Sequence, residues 1–386
     1  MEQAVVVEGS EVAKQLYMAM ELSSRTWKLG FSTGGGKQRI RDVGAGQLGE
    51  VLKEMAVSKE KLRVGPETKV IACFEAGRDG HWLYRWLVSE GVETLEIDSS
   101  SIEKARRGRG VKTDRVDVEK LLDLLIRYNT GYRQAFRVVH VPSEEAEDAR
   151  RLHRERDRLV KERTRLKNQM LSQLVTLGQP ELKLKRGGFE TWLDELKDGV
   201  GKLLPLLLKA ELKRTWRRYC LTEDLLKEVE AEFAAELQGD TRLGAQRRSL
   251  EGLKGIGPVG SRTLSGELFS WRTFRNGKQV GSAAGLTPTA LQSGRLSREQ
   301  GIGKQGNWRV RWVMIELSWL WLKHQPESGL SKWFRARFGG NGKRMGRVGI
   351  VALARKLLVA LWRYVEHGVV PTGAQFKPEF TSEAAK

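Results

Sequence analysis

The chain has 386 residues, 40% of them apolar, and carries 68 Lys plus Arg against 48 Asp plus Glu, a formal net charge of +20. That length supplies two or three domains, each with its own core. The charge predicts sustained contact with a polyanion, nucleic acid first, and no apolar run approaches the roughly 18 residues of a membrane-spanning helix. Cys73 and Cys220 form no CxxC pair and the five histidines form no HxxxH pair, which argues against structural zinc, so any metal must be held by oxygen. Met1-Glu2-Gln3 is acidic where a signal peptide would be basic, so a cytoplasmic, nucleoid-associated protein is expected.

A polar extension over 1–15 precedes a run of strands. Leu16 to Glu21 is a near-continuous apolar run that predicts a buried strand, and Thr26 to Phe31 alternates as a second. Gly34-Gly35-Gly36 turns the chain into a third strand. A helix is expected over 45–56, a strand over Val70 to Phe74 ending at Glu75, a helix over 81–90 and a strand over 93–97. Three strands followed by alternating helix and strand is the order of an RNase H-like α/β domain, here 16–140.

The acids of that domain stand out. Glu21 and Glu75 end apolar strands, where open α/β sheets place their chemistry. Lys112-Thr113-Asp114-Arg115-Val116-Asp117 opens a helix, and the spacing of three sets Asp114 and Asp117 on one side. Four carboxylates from three segments suit two Mg²⁺ ions, which prefer oxygen and can stabilise both oxygens of a phosphodiester displacement. The plainer alternative makes Asp114 an N-cap and Asp117 a first-turn acid favoured by the helix dipole. It offers no reason for Glu21 and Glu75.

From Ser143 to about Leu177 a single long charged helix is expected, within a coiled-coil segment over 141–180. Leu152, Leu159 and Leu166 recur every seven residues, and a second line is interrupted by Arg156 and Arg163. Such a helix would pair with a copy of itself while its cations touch phosphates, or else it is an ordinary solvated helix. A helical connector spans 181–250.

The last domain is expected over 251–370, before a tail over 371–386. Gly255-Ile256-Gly257-Pro258-Val259-Gly260 has dinucleotide-loop spacing without the strand or the acid that spacing needs. It reads better as a helix-hairpin-helix turn whose glycines approach a DNA phosphate, with a plain helix-joining turn as the alternative. Ser293 sits in Gln292-Ser293-Gly294, in a loop leading to Lys304, Asn307, Arg309 and Arg311. Cations nearby would let such a serine attack a phosphodiester, although a Ser-Gly pair alone is usually just a turn. Lys343 and Arg344 end a second basic, glycine-rich loop.

Taken in order, strand-end Glu21, Phe74-Glu75-Ala76-Gly77, the segment from Lys112 to Asp117, Gly255-Ile256-Gly257-Pro258, Ala284-Gly285-Leu286-Thr287-Pro288, Gln292-Ser293-Gly294, Lys304-Gln305-Gly306-Asn307 and Ala354-Arg355-Lys356-Leu357-Leu358 make a recognisable series. The series resembles the DEDD transposases of bacterial insertion sequences, the bridge-RNA-guided recombinases, from about Leu16 to Gly368. The resemblance implies a RuvC-like N-terminal domain, a coiled-coil linker and a mainly α transposase domain. It implies an enzyme whose Glu21, Glu75, Asp114 and Asp117 hold Mg²⁺, with two ions in each composite site, and whose Ser293 forms a covalent link to DNA. The implied partners are donor and target double-stranded DNA, a guide RNA and further copies of the chain, from dimer to tetramer. In that family the acids of one subunit serve the serine of another.

Nucleic-acid contacts are expected at Lys112, Arg156, Arg163, Gly255, Gly257, Lys304, Asn307, Arg309, Arg311, Lys343 and Arg344. One position departs from the family pattern, where Glu21 replaces the usual Asp and moves its carboxylate by about 1.5 Å. Two other functions are consistent with the residues. A RuvC-type endonuclease would need the acids but not Ser293, and an impaired nucleic-acid-binding remnant would need neither.

Overall fold

The computed structural model of the protein describes residues 14–77, 80–102, 114–238, 241–293, 296–303, 305–340 and 342–380. They form two compact units, divided in sequence between Val141 and Pro142.

In the first unit, β1 (Leu16–Leu22), β2 (Thr26–Ser32), β3 (Arg39–Gly44), β4 (Val70–Glu75) and β5 (Glu93–Ile97) make one sheet in the order β3-β2-β1-β4-β5. β2 runs antiparallel to β1 and β3, whereas β1, β4 and β5 are mutually parallel. The parallel strands need crossover helices, and these are α1 (Leu48–Lys61) between β1 to β3 and β4, and α2 (Trp82–Ser89) between β4 and β5. Leu16, Met18 and Met20 share a core with Val51 and Met55 of α1 and Leu83 and Leu87 of α2. Tyr17 and Ala19 point the other way, into a core with Val118, Leu121, Leu122 and Leu125 of α3 (Asp114–Asn129). Both faces of β1 are therefore covered, which is why its sequence is a continuous apolar run. The mixed sheet fits the RNase H-like expectation, and every expected strand and helix of this unit is present.

The second unit is mainly helical. A single helix over 143–177 was expected; instead α4 (Glu144–Asp148), capped by the Ser143 hydroxyl, stops before α5 (Arg151–Val175). At the break the Ala149 carbonyl accepts a bond of 3.1 Å from Arg262. The heptad leucines of α5 find a partner within the chain. They pack on α7 (Leu206–Gln238) of the same chain, Leu159 against Leu226, Val229 and Phe233, and Met170 and Leu174 against Leu212 and Trp216. α6 (Phe189–Glu195) closes the far end of that pair, where Phe189 stacks on Trp216 at 4.2 Å between ring centres.

α8 (Arg242–Gly252), α9 (Pro258–Leu264), a π-helical turn (Ser265–Phe269), α10 (Gly277–Ala283), α11 (Trp308–His324), α12 (Gly329–Phe338) and α13 (Lys343–His367) complete the unit. Leu250, Leu264, Phe269, Met314, Trp321, Leu357 and Leu361 fill its core. Arg247 and Arg262, both buried, meet Glu236 at the end of α7, and Arg262 lies 4.0 Å from the centre of the Phe233 ring. Burial pulls the Arg262 guanidinium down to about 10, with Glu236 only partly opposing it. Between α10 and α11 lies a hairpin of β6 (Pro288–Ser293) and β7 (Leu296–Ile302), where a loop was expected.

Candidate functional site

Alternation along β1 and β4 decides where the strand-end acids point. Residues 17 and 19 of β1 and 71 and 73 of β4 face α3, so by the period of two Glu21 and Glu75 do as well. Met20 and Phe74 are register partners in parallel strands, which puts Glu21 and Glu75 side by side one residue later, on backbones about 4.8 Å apart. Both acids line one cleft of about 300 Å³, together with Leu22, Gly77, Gly80 and Ser99. Glu21 is half-buried and Glu75 exposed, and the Glu75 charge adds to burial in pushing the neighbouring Cys73 thiol up.

α3 covers the same face. A methyl group on Gly30 would touch Val118 at 3.4 Å, and Gly30 pairs with Ala19, so the first turns of α3 pack over β2 beside β1. Asp117 is half-buried, 3.6 Å from Lys120. Asp114 begins α3, but its side chain and Lys112 fall outside the described residues. Among the described residues no group of three or more His, Cys, Asp or Glu side chains could by itself hold a metal. Two adjacent carboxylates with no aromatic or thiol donor nonetheless suit a hard divalent cation.

A buried acid within a strand also occurs at Glu96, which sequence reasoning passed over. Glu96 is a partner of Phe74 and so faces α2, where it meets His81 Nδ1 at 2.8 Å. It anchors the start of α2 and lies on the opposite face from Glu21 and Glu75.

In the second unit, Ser293 is the last residue of β6 and pairs with Leu296, at the turn end of the hairpin. Its side chain and Lys304 fall outside the described residues. The hairpin base is pinned by backbone bonds from Gly303 to Thr287 at 3.0 Å and from Asn307 to Ala283 at 2.7 Å. Two glycines permit this. At Gly285, φ +65°, a Cβ would lie 2.2 Å from the Gln305 carbonyl oxygen, and at Gly306, φ +114°, 2.6 Å from that of Ala283.

Asn307 was expected to touch nucleic acid, but both ends of its amide are occupied. Its Oδ1 accepts from the Arg309 and Val310 N–H groups, capping α11, and its Nδ2 donates to Glu267 at 2.7 Å. Glu267, buried in the π-helical turn, also accepts from Arg154 at 2.8 and 2.9 Å and lies 2.8 Å from His153 Nε2. Burial works against its charge, yet the bonds from His153 and Arg154 prevail and hold the carboxyl well below the usual range. Sequence reading missed this hub, although an acid set between Gly266 and Leu268 in an apolar stretch is its signal. Arg309 turns back toward Asp157 of α5 at 3.8 Å, and Arg311 donates to the Ala284 carbonyl at 3.3 Å, which braces the hairpin base as well.

Two family descriptions match the chain. One, the transposase IS116/IS110/IS902 family, covers residues 247–357, and the other, a DEDD transposase of the IS110 kind, covers 48–178. The protein y4rJ of Sinorhizobium fredii, which bears a transposase designation, is 39% identical over 375 residues, 94% of each chain. The chain belongs to the IS110/IS116 family of DEDD transposases. The transposase of element IS1111A from Coxiella burnetii is 27% identical over 74% of each chain, and that of IS1328 from Yersinia enterocolitica is 24% identical over 78% of this chain and 85% of its own. The matched segments include Glu75, Asp114 and Asp117 in one and Ser293 in the other.

A DNA transposase needs cations for its substrate, and the structure sorts the expected ones. Arg156 is bonded to Glu230 at 2.9 Å and Arg163 to Glu223 at 3.1 Å, so these two tie α5 to α7 instead of lying open along a solvated helix. Gly255 owes its lack of a side chain to packing, since a Cβ there would meet the Leu320 carbonyl at 3.2 Å and His324 at 3.3 Å. Gly257, with open space around it, precedes Pro258 at the start of α9 and leaves that end approachable. Lys343 and Arg344 stand in the first turn of α13, not in a loop before it. No described helix is long and apolar enough to cross a membrane.

Proposed function

We propose that this transposase is an RNA-guided DNA recombinase in which Ser293 attacks the scissile phosphodiester and Glu21, Glu75, Asp114 and Asp117 hold magnesium, two ions in each composite site. The observation that carries the reading is the adjacency of Glu21 and Glu75 on the sheet face covered by the helix that Asp114 and Asp117 open. Glu21 lines the same cleft as Glu75, so its extra methylene leaves it at the site and speaks against an impaired remnant. When bound, magnesium supplies charge neutralisation at the phosphate and at the oxygens entering and leaving it.

The chain's own residues do the rest. The Ser293 Oγ forms a bond to phosphorus as the bond from phosphorus to one deoxyribose oxygen breaks, and that oxygen leaves with a proton as a free hydroxyl. Attack by a hydroxyl of another strand reverses the step, rejoining DNA and restoring the serine. The hairpin that carries Ser293 is clamped at its base, which supports holding the serine for attack. Guide RNA, double-stranded donor and target DNA, and assembly from dimer to tetramer belong to the same proposal, and the net charge of +20 supports the nucleic-acid part.

The test is a denaturing gel of the protein with Mg²⁺, element-end RNA and labelled DNA. Wild type is expected to give a covalent protein–DNA band and Ser293→Ala none. Cleaved DNA without any protein-linked band in wild type would replace this reading with the RuvC-type endonuclease.

A further inference from the structure

Four tryptophans lie on α11, and the core takes only Trp321; Trp308, Trp312 and Trp319 are 47%, 55% and 50% exposed. Spacings of four and seven residues place the three within about 40° of one another around the helix, at intervals of about 6 and 10 Å along it. One exposed aromatic is ordinary, but three in a line make an apolar strip that calls for an occupant. Among the described residues neither Trp312 nor Trp319 has a ring or cation partner.

The strip is cationic at both ends. Lys161 of α5 stands 5.1 Å from the centre of the Trp308 ring and Arg309 4.5 Å from it, while Lys323 is exposed one turn beyond Trp319. The acids near it are Glu316 and Asp157, the latter 3.8 Å from Arg309. We propose that the strip is a binding site for single-stranded DNA, with unpaired bases stacked on Trp312 and Trp319 and phosphates drawn to Lys161 and Lys323.

Three points of chemistry select that occupant. Flat indoles offer stacking area to base faces, which a duplex hides between its own pairs, so an intact duplex could use only the single N–H of each ring. A second copy would bring an identical set of cations against this one, whereas the centres of protein interfaces are depleted in charge. A transposase that breaks and exchanges strands exposes unpaired DNA. The proposal stands whichever residue proves to be the nucleophile.

The test uses the full chain and a fluorescent thymidine oligonucleotide at fixed salt. Trp312→Ala and Trp319→Ala are each expected to weaken binding at least about fivefold, and the pair together more than about tenfold, since stacking on an aromatic is worth that much per base. Trp312→Phe should recover part of the loss, and a duplex of equal length should bind all variants within about twofold. Because any variant can misfold, wild type is also tested with an abasic strand, which keeps every phosphate and is expected to bind at least about tenfold more weakly. Equal affinity for abasic and thymidine strands would overturn the proposal. So would unchanged thymidine binding in the double variant, including the case in which its sedimentation shows lost self-association.

Discussion

At the scale of single residues, two carboxylates of opposite character define the protein. Glu75 is exposed at a strand end, so removing its charge should touch chemistry and leave the fold alone. Glu75→Gln and Glu21→Gln are each expected to lower DNA cleavage at least about a hundredfold with the melting temperature nearly unchanged; a matching drop in stability would mean that the acids are structural. Glu267 is the reverse, a buried carboxylate whose pKa is depressed in the folded state by His153 and Arg154. A depressed pKa contributes stability that is fully present above the unfolded value, near 4.3, and is lost progressively as pH falls below it. Urea unfolding of wild type from pH 7 down to pH 3 should therefore show a decline that Glu267→Gln shows to a smaller degree. Identical slopes would mean that the hub is not charged.

At the scale of elements, the pair α5 and α7 is a place where apolar and ionic contacts can be compared. Leu166 is fully buried, and Leu166→Ala should cost about 2–5 kcal/mol in chemical denaturation. The Arg156–Glu230 bond is partly exposed, and Glu230→Ala should cost less than about 1 kcal/mol. If the ion-pair variant proved the costlier, salt bridges and not the leucine line would hold the two helices together. The heptad spacing was readable in the sequence, but the partner was not, because Leu226, Val229 and Phe233 follow Leu159 by some 70 residues. A period says that a face will be buried and is silent on what buries it.

At the scale of the whole molecule, the candidate acids and the candidate serine belong to different units. If the acids of one subunit serve the serine of another, then mixing Glu75→Gln protein with Ser293→Ala protein should restore part of the cleavage that each lacks alone. A mixture as inactive as its components would place both groups within one subunit. The helical unit also carries the buried arginine pair at Glu236, so the end of α7 is tied by ion pairs to Arg247 of α8 and Arg262 of α9.

Net charge anticipated a polyanion partner and the resemblance carried by the short motifs implied the enzyme, while the five strands and the acids at their ends were legible because each is a local property of consecutive residues. Glu21 and Glu75 could be singled out since an acid closing an apolar strand is anomalous without its neighbours being known. Their side-by-side placement, the use of Asn307 as a cap, the commitment of Arg156 and Arg163 to α7 and the Glu267 hub were decided only by tertiary structure. The four tryptophans of α11 show why: one residue type in one helix is driven into the core at Trp321 and left in water at Trp312, according to which side the rest of the chain covers.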